Sequence, residues 1–278
     1  MAKMKKIGLA LGGGGARGCA HIGVIKALLE AKISIDYIAG TSIGSLIGGI
    51  YANGKMDELE KVLLKLHWQD VMKHFDPVIP KKGLFEGKKI VNLLEKILSK
   101  TKIKDLSIPY IAIATDLITG KEVHISDGYV VNAIRASVAI PGIITPLKLK
   151  NHYLIDGGVT NPLPVNVVRK MGADIVIAVD LNHSFIKVRR YYRQNYQKSA
   201  FVKWLTPDRP NIIDIIESSI FVMQDELTQI NLITHKPDFL IRPELGTTGI
   251  FDFHEAKRII QEGYEQTTKI IPKIKKMI

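Results

Sequence analysis

A serine between two glycines is the first group in this sequence that is suited to covalent chemistry. Residues 38–44 read Ile-Ala-Gly-Thr-Ser-Ile-Gly, an apolar strand end that runs into an apolar helical segment. Gly40 and Gly44 lack the Cβ atoms that would block a sharp strand-to-helix turn, so the hydroxyl of Ser42 can be exposed there. The dipole of the following helix favours a developing alkoxide. The pattern predicts a nucleophilic serine, although an ordinary turn with a serine N-cap would use the same residues.

A run of glycines precedes the first expected helix. Apolar residues 7–11 suit a buried strand, glycines fill positions 12–15, and residues 22–29 have the apolar spacing of a helix. Backbone N–H groups in such a loop bind either a phosphate or the oxyanion of an acyl-transfer intermediate. Close packing of the helix on the sheet is the third explanation for the glycines.

The same loop matches a dinucleotide-binding pattern. Gly13, Gly15 and Gly18 have the Gly-x-Gly-x-x-Gly spacing, and Asp36 follows at a distance suited to a ribose-binding acid. That acid should end the second strand, whereas Asp36 precedes it and the serine turn ends it. The position of Asp36 therefore argues against a dinucleotide.

A second candidate catalytic group is the carboxylate of Asp156. Apolar residues 147–149 and 153–155 predict a hairpin, and Asp156 ends its second strand, followed by Gly157 and Gly158. An acid at the end of a strand, with glycines that admit another backbone, is placed as an active-site carboxylate of an α/β sheet would be. Asp-Gly is also a common turn pair, which is the alternative explanation.

Strand-like and helix-like segments alternate from residue 7 to residue 180, which predicts an α/β fold. Residues 67–87 lack a sustained period and suggest either a loop or mobile cover over a cleft, or packed surface. There is no internal repeat and no cluster of metal ligands, so no metal or cofactor is expected. The remaining expected helices lie at 57–66, 91–98, 129–140, 165–171, 212–233 and 253–271, and the remaining strands at 110–115, 121–125, 175–179 and 239–242.

Composition indicates a folded protein that does not need an oxidising compartment. The chain has 278 residues, of which 46% are hydrophobic and 24% charged, and Cys19 is its one cysteine, so no intrachain disulfide can form. Lysines precede the first apolar run as in a signal peptide, but the run breaks into the glycines. The longest uncharged stretch, residues 37–54, is interrupted by glycines and does not read as a membrane span. We expect a cytoplasmic protein.

The charge is strongly positive, with 39 Lys and Arg against 27 Asp and Glu, a net +12. Basic and aromatic residues alternate between residues 182 and 210, a composition typical of segments that contact membranes. We expect residues 183–209 to bind an anionic membrane surface, which would make the protein peripheral. Nucleic acid could use the same residue types but is not the expected partner, and a solvated loop is the alternative.

The three motifs together resemble the patatin-like phospholipase family, in particular its single-domain bacterial branch related to the catalytic domain of neuropathy target esterase. The glycine loop, the Gly-x-Ser-x-Gly turn and Asp-Gly-Gly occur in the family's order, and residues 136–141 resemble a further family stretch. The similarity covers roughly residues 5–167. It implies a three-layer α/β/α patatin-like fold with a mainly parallel central sheet. We expect one domain over residues 5–275: a motif-bearing core (5–180), the basic aromatic segment (182–210) and C-terminal helices (212–275).

The resemblance also implies a mechanism. Ser42 would be the nucleophile and Asp156 its partner in a dyad without histidine, and an acyl-enzyme would form during hydrolysis of lipid or other acyl esters. By the same resemblance, Gly13, Gly14 and Gly15 are the oxyanion glycines and Arg17 is the family's following basic residue. Gly40, Gly44, Gly157 and Gly158 would support the two catalytic turns.

Two other functions compete with this one. A conventional α/β-hydrolase would complete a Ser-Asp-His triad with a downstream histidine, although its serine turn normally follows more strands than one finds before Ser42. The candidate histidines are His183, His235 and His254. A non-catalytic membrane-binding or nucleotide-binding module would use only the glycine loop and the basic segment.

Overall fold

The structure is a computed structural model that describes residues 5–65, 85–183 and 212–278. Within these ranges the strands form a mixed sheet. Their bounds are β1 Ile7–Leu11, β2 Tyr37–Thr41, β3 Tyr110–Asp116, β4 Glu122–Ile125, β5 Leu147–Leu149, β6 His152–Asp156, β7 Ile175–Val179 and β8 Phe239–Ile241. The order across the sheet is β5-β6-β3-β2-β1-β7-β8, with β4 also paired to β3.

The centre of the sheet is parallel and one end is antiparallel. Strands β3, β2, β1, β7 and β8 run in one direction, whereas β4 and β6 pair antiparallel with β3, and β5 pairs antiparallel with β6. The expected α/β fold with a mainly parallel sheet is confirmed. The glycine loop and Ser42 directly follow β1 and β2, so they lie side by side at the carboxyl edge of the sheet.

Helices cover both faces of the sheet. They are α1 Cys19–Glu30, α2 Ile43–Ala52, α3 Met56–Leu64, α4 Lys88–Leu98, α5 Val130–Ser137, α6 Val165–Lys170, α7 Ile212–Thr234 and α8 Ala256–Lys275. No helix within the described ranges is both long and apolar enough to cross a bilayer.

The side chains of the central strands explain the two layers. In β1, Leu9 and Leu11 belong to the large core beneath α1, α2 and α5, whereas Ala10 faces a smaller core beneath α6. The same alternation recurs in β7, because successive side chains of a strand point to opposite faces. Both faces of the sheet are therefore buried beneath helices, which confirms the expected three-layer arrangement.

The last helix packs against the helix that follows the glycine loop. Gly23 of α1 and Gly263 of α8 lie where the two helices cross. A Cβ on Gly23 would stand 1.9 Å from the carbonyl oxygen of Ile260, and one on Gly263 would stand 2.1 Å from that of Ala20. The two backbones are therefore in direct contact, and α8 supports α1 from outside the motif-bearing core.

Most predicted elements are observed, with ends that differ from the predicted ones by a few residues at most. The strand pair β3–β4 and the hairpin β5–β6 are confirmed, and the helix expected over 129–140 is α5, which ends at Ser137. The helix expected from 57 to 66 is α3, Met56–Leu64. The expected cover at 67–87 and the basic aromatic segment lie almost entirely outside the described residues.

Candidate active site

Ser42 occupies the turn between β2 and α2 in a strained conformation. Its φ of 54° and ψ of −124° lie where residues with a Cβ rarely occur. A Cβ on Gly40 would stand 2.4 Å from the carbonyl oxygen of Gly44, and one on Gly44 would stand 2.2 Å from that of Leu11. Both glycines are required by close backbone approach, as the sequence pattern predicts for a nucleophile turn.

Ser137 holds this turn in place. The Oγ of Ser137 accepts a hydrogen bond of 2.9 Å from the backbone N–H of Ser42 and donates one of 2.5 Å to the carbonyl oxygen of Ile113. Ser137 has no exposed surface. Because Ile113 lies in β3 and Ser137 ends α5, one hydroxyl joins the turn, the neighbouring strand and the helix above it.

The register of the sheet brings Asp156 to Ser42. Thr41 of β2 pairs with Ile113 of β3, and Asp156 of β6 pairs with Ala114, the next residue of β3. The position after Thr41 is Ser42, so the two candidate catalytic residues stand at the same level on either side of β3. Because β6 runs antiparallel to β3, the register and not a shared carboxyl edge of parallel strands places the acid here.

The two side chains are in direct contact. Ser42 Oγ donates a hydrogen bond of 2.5 Å to Asp156 Oδ2, and Asp156 Oδ1 accepts one of 2.7 Å from the backbone N–H of Gly158. Ser42 is 5% exposed and Asp156 is 2% exposed. The carboxylate is therefore within reach of the hydroxyl proton that a nucleophilic serine must lose.

Burial shifts the pKa of Asp156 in the direction that a proton acceptor needs. It raises the pKa of Asp156 from 3.8 to about 6, because water is excluded from the charged form, while the hydrogen bonds from Ser42 and Gly158 oppose the rise. A carboxylate with a pKa near 6 is a better proton acceptor than an exposed one and is still ionised at neutral pH.

The two glycines after Asp156 have different neighbours. A Cβ on Gly157 would stand 2.3 Å from the carbonyl oxygen of Ile113, which is the backbone approach that the sequence predicts. A Cβ on Gly158 would instead stand 2.1 Å from Nε2 of Gln224, a side chain of α7. Gly158 therefore makes room for a residue that the sequence motifs do not include.

The glycine loop lies against the nucleophile. A Cβ on Gly13 would stand 3.4 Å from the Cβ of Ser42. The N–H of Gly13 donates a 3.0 Å hydrogen bond to the carbonyl oxygen of Pro162, which differs from the expectation that all three glycines are oxyanion donors. Within the described ranges, the N–H groups of Gly14 and Gly15 make no such bond, so these two can bind an oxyanion.

Two buried side chains orient the loop. Arg17 Nε donates a 3.2 Å hydrogen bond to the carbonyl oxygen of Gly14, and its guanidinium lies 4.0 Å from the ring centre of Phe221. In a trans peptide the carbonyl and the next N–H point in opposite directions. The contact with Arg17 therefore turns the N–H of Gly15 away from the arginine.

His21 contacts the loop in the same way two peptides earlier. Its Nε2 lies 2.8 Å from the carbonyl oxygen of Gly12, and since a carbonyl only accepts, Nε2 carries the proton. Burial lowers the pKa of His21 to about 4, so the ring is neutral. No sequence pattern signals this role, because a histidine within the apolar pattern of α1 is typical of a core residue.

An apolar cavity of about 150 Å³ opens beside Ser42. Its walls come from the helices that cover this edge of the sheet and from the loop before α8. An engineered apolar cavity of that volume in another protein binds benzene, so this one has room for about six carbon atoms. Among the residues that line it are Leu46 and Ile47 of α2, Leu59 and Leu63 of α3, and Leu94 of α4.

The histidines of the rival triad do not reach this site. His183, His235 and His254 are exposed, and none of them lines the cavities beside Ser42. Asp36 also lies elsewhere, because its Oδ2 accepts a hydrogen bond of 2.7 Å from the N–H of Ile7, at the start of β1. The glycine loop follows the other end of that strand, so Asp36 does not serve a dinucleotide there.

The family model for patatin-like phospholipase matches residues 9–169. The chain belongs to the patatin-like phospholipase family. The match includes the glycine loop, Ser42 and Asp156, and it ends before β7, β8, α7 and α8. The expected family relationship is therefore confirmed.

The relatives share this part of the chain. An uncharacterized NTE family protein of Mycobacterium tuberculosis is 44% identical over 179 residues, which are 64% of this chain and 50% of the relative. Human patatin-like phospholipase domain-containing protein 6 is 38% identical over 182 residues, 63% of this chain and 13% of the relative. The matched part is thus half or less of each relative's length.

A solved structure supports the fold over a longer span. VipD from Legionella pneumophila superposes with a TM-score of 0.53 at 14% sequence identity, and the alignment covers 97% of this chain and 67% of VipD. At this identity the similarity shows a shared fold and does not extend to function.

Proposed function

We propose that this protein is a serine hydrolase that cleaves acyl ester bonds of lipids through a Ser42–Asp156 dyad and an acyl-enzyme. The observation that carries the proposal is the 2.5 Å hydrogen bond from Ser42 Oγ to the buried carboxylate of Asp156. Membership of the patatin-like phospholipase family supports the reaction class.

In acylation, Ser42 Oγ attacks the carbonyl carbon of the ester while its proton moves to Asp156. The carbonyl oxygen becomes an oxyanion, and the N–H groups of Gly14 and Gly15 bind it. As the tetrahedral intermediate collapses, the bond to the alcohol oxygen breaks and Asp156 returns the proton to the departing alcohol. The products are an acyl-serine, a free alcohol and an ionised carboxylate.

In deacylation, a water molecule takes the place of the alcohol. The oxygen of the water attacks the acyl-serine while Asp156 accepts a proton from the water. The N–H groups of Gly14 and Gly15 bind the second oxyanion. The bond to Ser42 then breaks, and the serine recovers its proton from Asp156. The net reaction is ester plus water giving acid plus alcohol, with both residues restored.

The apolar cavity supports a lipid as the substrate. Its volume of about 150 Å³ is lined almost wholly by aliphatic and aromatic side chains and reaches Ser42. An acyl chain that enters it would gain roughly 0.8 kcal/mol for each buried methylene. The positive charge of the chain suits an anionic membrane, and binding through residues 183–209 remains a prediction because that segment lies almost entirely outside the described residues.

The test combines turnover with active-site labelling. Wild type, Ser42→Ala and Asp156→Asn are assayed on phospholipid, lysophospholipid, monoacylglycerol and nitrophenyl esters, and each protein is treated with a fluorophosphonate. We expect wild type to bind the probe at Ser42, and both variants to lose about four orders of magnitude of turnover. Ser107→Ala, which removes the hydroxyl that bonds to the carbonyl oxygen of Ala52 at 2.8 Å, is the matched control.

Two results would contradict the proposal. Turnover by Ser42→Ala at a rate near that of wild type would show that another group is the nucleophile. A wild-type protein that is folded and neither labelled nor active on any ester would favour a non-catalytic binding module.

A further inference from the structure

A second, smaller cavity adjoins the dyad on the side of α7. Its volume is about 20 Å³, and its lining includes Ser42, Asp156, Gly14 and Gly15 together with Gln224. A cavity needs about 10–15 Å³ and two to four polar partners to hold a water molecule. This one therefore has room for a small oxygen-bearing group beside both catalytic side chains.

Gln224 is the polar side chain that α7 contributes to this cavity. Apart from the dyad, the other described lining residues are glycines and apolar residues. Gln224 is 6% exposed. Its Nε2 and Asp156 Oδ1 both lie close to Gly158. A Cβ on Gly158 would stand 2.1 Å from Gln224 Nε2 and 3.0 Å from Asp156 Oδ1. The amide is therefore next to the catalytic carboxylate.

The orientation of the amide is set from its other side. Gln224 Oε1 accepts a 3.0 Å hydrogen bond from Asn182 Nδ2, and the backbone N–H of Asn182 donates one of 3.1 Å to Asp180 Oδ1. The carbonyl end of the amide is thus directed toward Asn182, and the N–H end faces the carboxylate side. This is also the orientation that electrostatics favours beside a negative charge.

Resting on the function proposed above, we propose that Gln224 is a catalytic residue that donates a hydrogen bond from Nε2 to the oxygen that leaves in acylation and attacks in deacylation. Both oxygens must occupy one position, because water attacks the acyl-serine from the side on which the alcohol departs. With the acyl chain in the large cavity and the oxyanion at the end of the small cavity that Gly14 and Gly15 line, the end between Gln224 and Asp156 is that position.

The hydrogen bond from Gln224 transfers no proton to or from the substrate. Gln224 keeps its proton throughout, and Asp156 remains the group that accepts a proton from water or returns one to the alcohol. The amide holds the water so that one lone pair faces the acyl carbon, and it stabilises negative charge on the departing alkoxide.

Gln224 lies outside residues 9–169, the part of the chain that the family model matches. It comes from a helix whose apolar spacing reveals burial but no chemistry. The structure thus assigns part of the reaction to the C-terminal third of the chain.

The experiment measures the two chemical steps separately. A nitrophenyl ester has a good leaving group, so acylation of Gln224→Met needs no help at the leaving oxygen, whereas water must still be positioned for deacylation. We expect an initial burst of about one nitrophenol per enzyme, followed by steady-state turnover that is lower than that of wild type by on the order of 100-fold. On an alkyl ester, acylation should slow as well and the burst should be absent.

Two further variants guard against a merely structural effect. Gly158→Ala leaves Gln224 in the chain but places a methyl group 2.1 Å from its Nε2 and 3.0 Å from Asp156 Oδ1. It should show the same burst and slow turnover, with Ser42 still labelled at the wild-type rate because the dyad is intact. Gln229→Met, on the same helix, removes an amide that bonds to Asp225 and Arg242 and lines neither cavity, and it should behave as wild type. Fluorophosphonate labelling of Ser42 in Gln224→Met at a rate near that of wild type shows that the fold and the dyad are intact.

The outcomes separate this role from the function itself. If wild type is active and Gln224→Met has the same steady-state turnover, or if Gln224→Met loses the burst on the nitrophenyl ester in proportion to turnover, the role of Gln224 is overturned and the dyad mechanism stands. If wild type shows neither ester turnover nor labelling, the proposed function is wrong and the role of Gln224 is wrong with it.

Discussion

Ser137 Oγ accepts a hydrogen bond of 2.9 Å from the backbone N–H of Ser42, although the two residues are 95 positions apart in the chain. Ser42, the proposed nucleophile, is therefore held in its strained conformation by a side chain from another helix. The glycines around Ser42 permit that conformation, and Ser137 stabilises it.

Ser137→Ala should lower both activity and stability. The substitution leaves the buried N–H of Ser42 and the carbonyl oxygen of Ile113 without their partner, which costs about 1–3 kcal/mol of unfolding free energy for such a group. We expect kcat to fall by roughly tenfold with little change in KM, since a small rotation at Ser42 affects the attack more than substrate binding. Urea unfolding and steady-state kinetics measure the two effects, with Ser107→Ala as the control. An unchanged kcat in a destabilised protein would restrict Ser137 to a structural role.

The pH dependence of turnover should report the ionisation of Asp156. Its pKa is about 6, and only the ionised carboxylate can accept the proton of Ser42. We expect kcat/KM on an uncharged ester to be level above about pH 7 and to fall tenfold per pH unit well below 6. Initial rates between pH 4.5 and 8 provide the measurement. A profile that falls as the pH rises through 6 would mean that the carboxyl acts in its protonated form.

Asp156→Asn should stabilise the folded protein at neutral pH. The folded-state pKa of about 6 exceeds the ordinary value of 3.8, so between these pH values the folded state holds a proton that the unfolded state has released. Stability therefore falls as the pH rises from about 4 to 6 and stays lower above, by about 3 kcal/mol for a shift of two units. The amide side chain introduced by Asp156→Asn cannot ionise, so the variant avoids this loss of unfolding free energy.

Urea midpoints at pH 4 and pH 7.5 test this expectation. The gain in Asp156→Asn relative to wild type should be present at pH 7.5 and nearly absent at pH 4, and Asp127→Asn, at an exposed position, should show no gain at either pH. A less stable Asp156→Asn at pH 7.5 would indicate that the ionised carboxylate is favourable in the fold.

Leu63→Phe should shorten the acyl chains that the enzyme prefers. Leu63 lines the large cavity from α3, and a larger side chain there takes space from the distal carbons of a substrate. Each methylene kept out of the cavity forfeits about 0.8 kcal/mol, roughly fourfold in kcat/KM. The measurement is kcat/KM over butanoyl to decanoyl esters. Leu64→Phe is the matched control, because Leu64 is 48% exposed and does not line the cavity.

Local sequence was sufficient to predict the nucleophile. Ser42 depends on five consecutive residues and on the strand and helix that flank them, and all of these have short-range signals. The glycine loop was predictable for the same reason. Which of its glycine N–H groups can bind an oxyanion was not predictable, because the hydrogen bond from Gly13 N–H to the carbonyl oxygen of Pro162 joins segments about 150 residues apart.

The partner groups were harder to infer from sequence. Asp156 was proposed from an Asp-Gly-Gly turn that has an ordinary structural explanation, and its meeting with Ser42 depends on the register of β6 against β3. Gln224 and Ser137 lie within helices whose apolar spacing indicates which side chains are buried and gives no sign of what they touch. Such contacts exist only once the layers have packed.

The crossing of α1 and α8 has a consequence for dissecting this protein. The glycines at 23 and 263 let the two backbones touch, so the segment bearing the glycine loop rests directly on residues near the end of the chain. A fragment cut after residue 169 would keep every family motif and lose that support, along with the amide from α7. The proposed activity therefore depends on described residues beyond the family motifs, and the boundaries of those motifs do not delimit a minimal active piece.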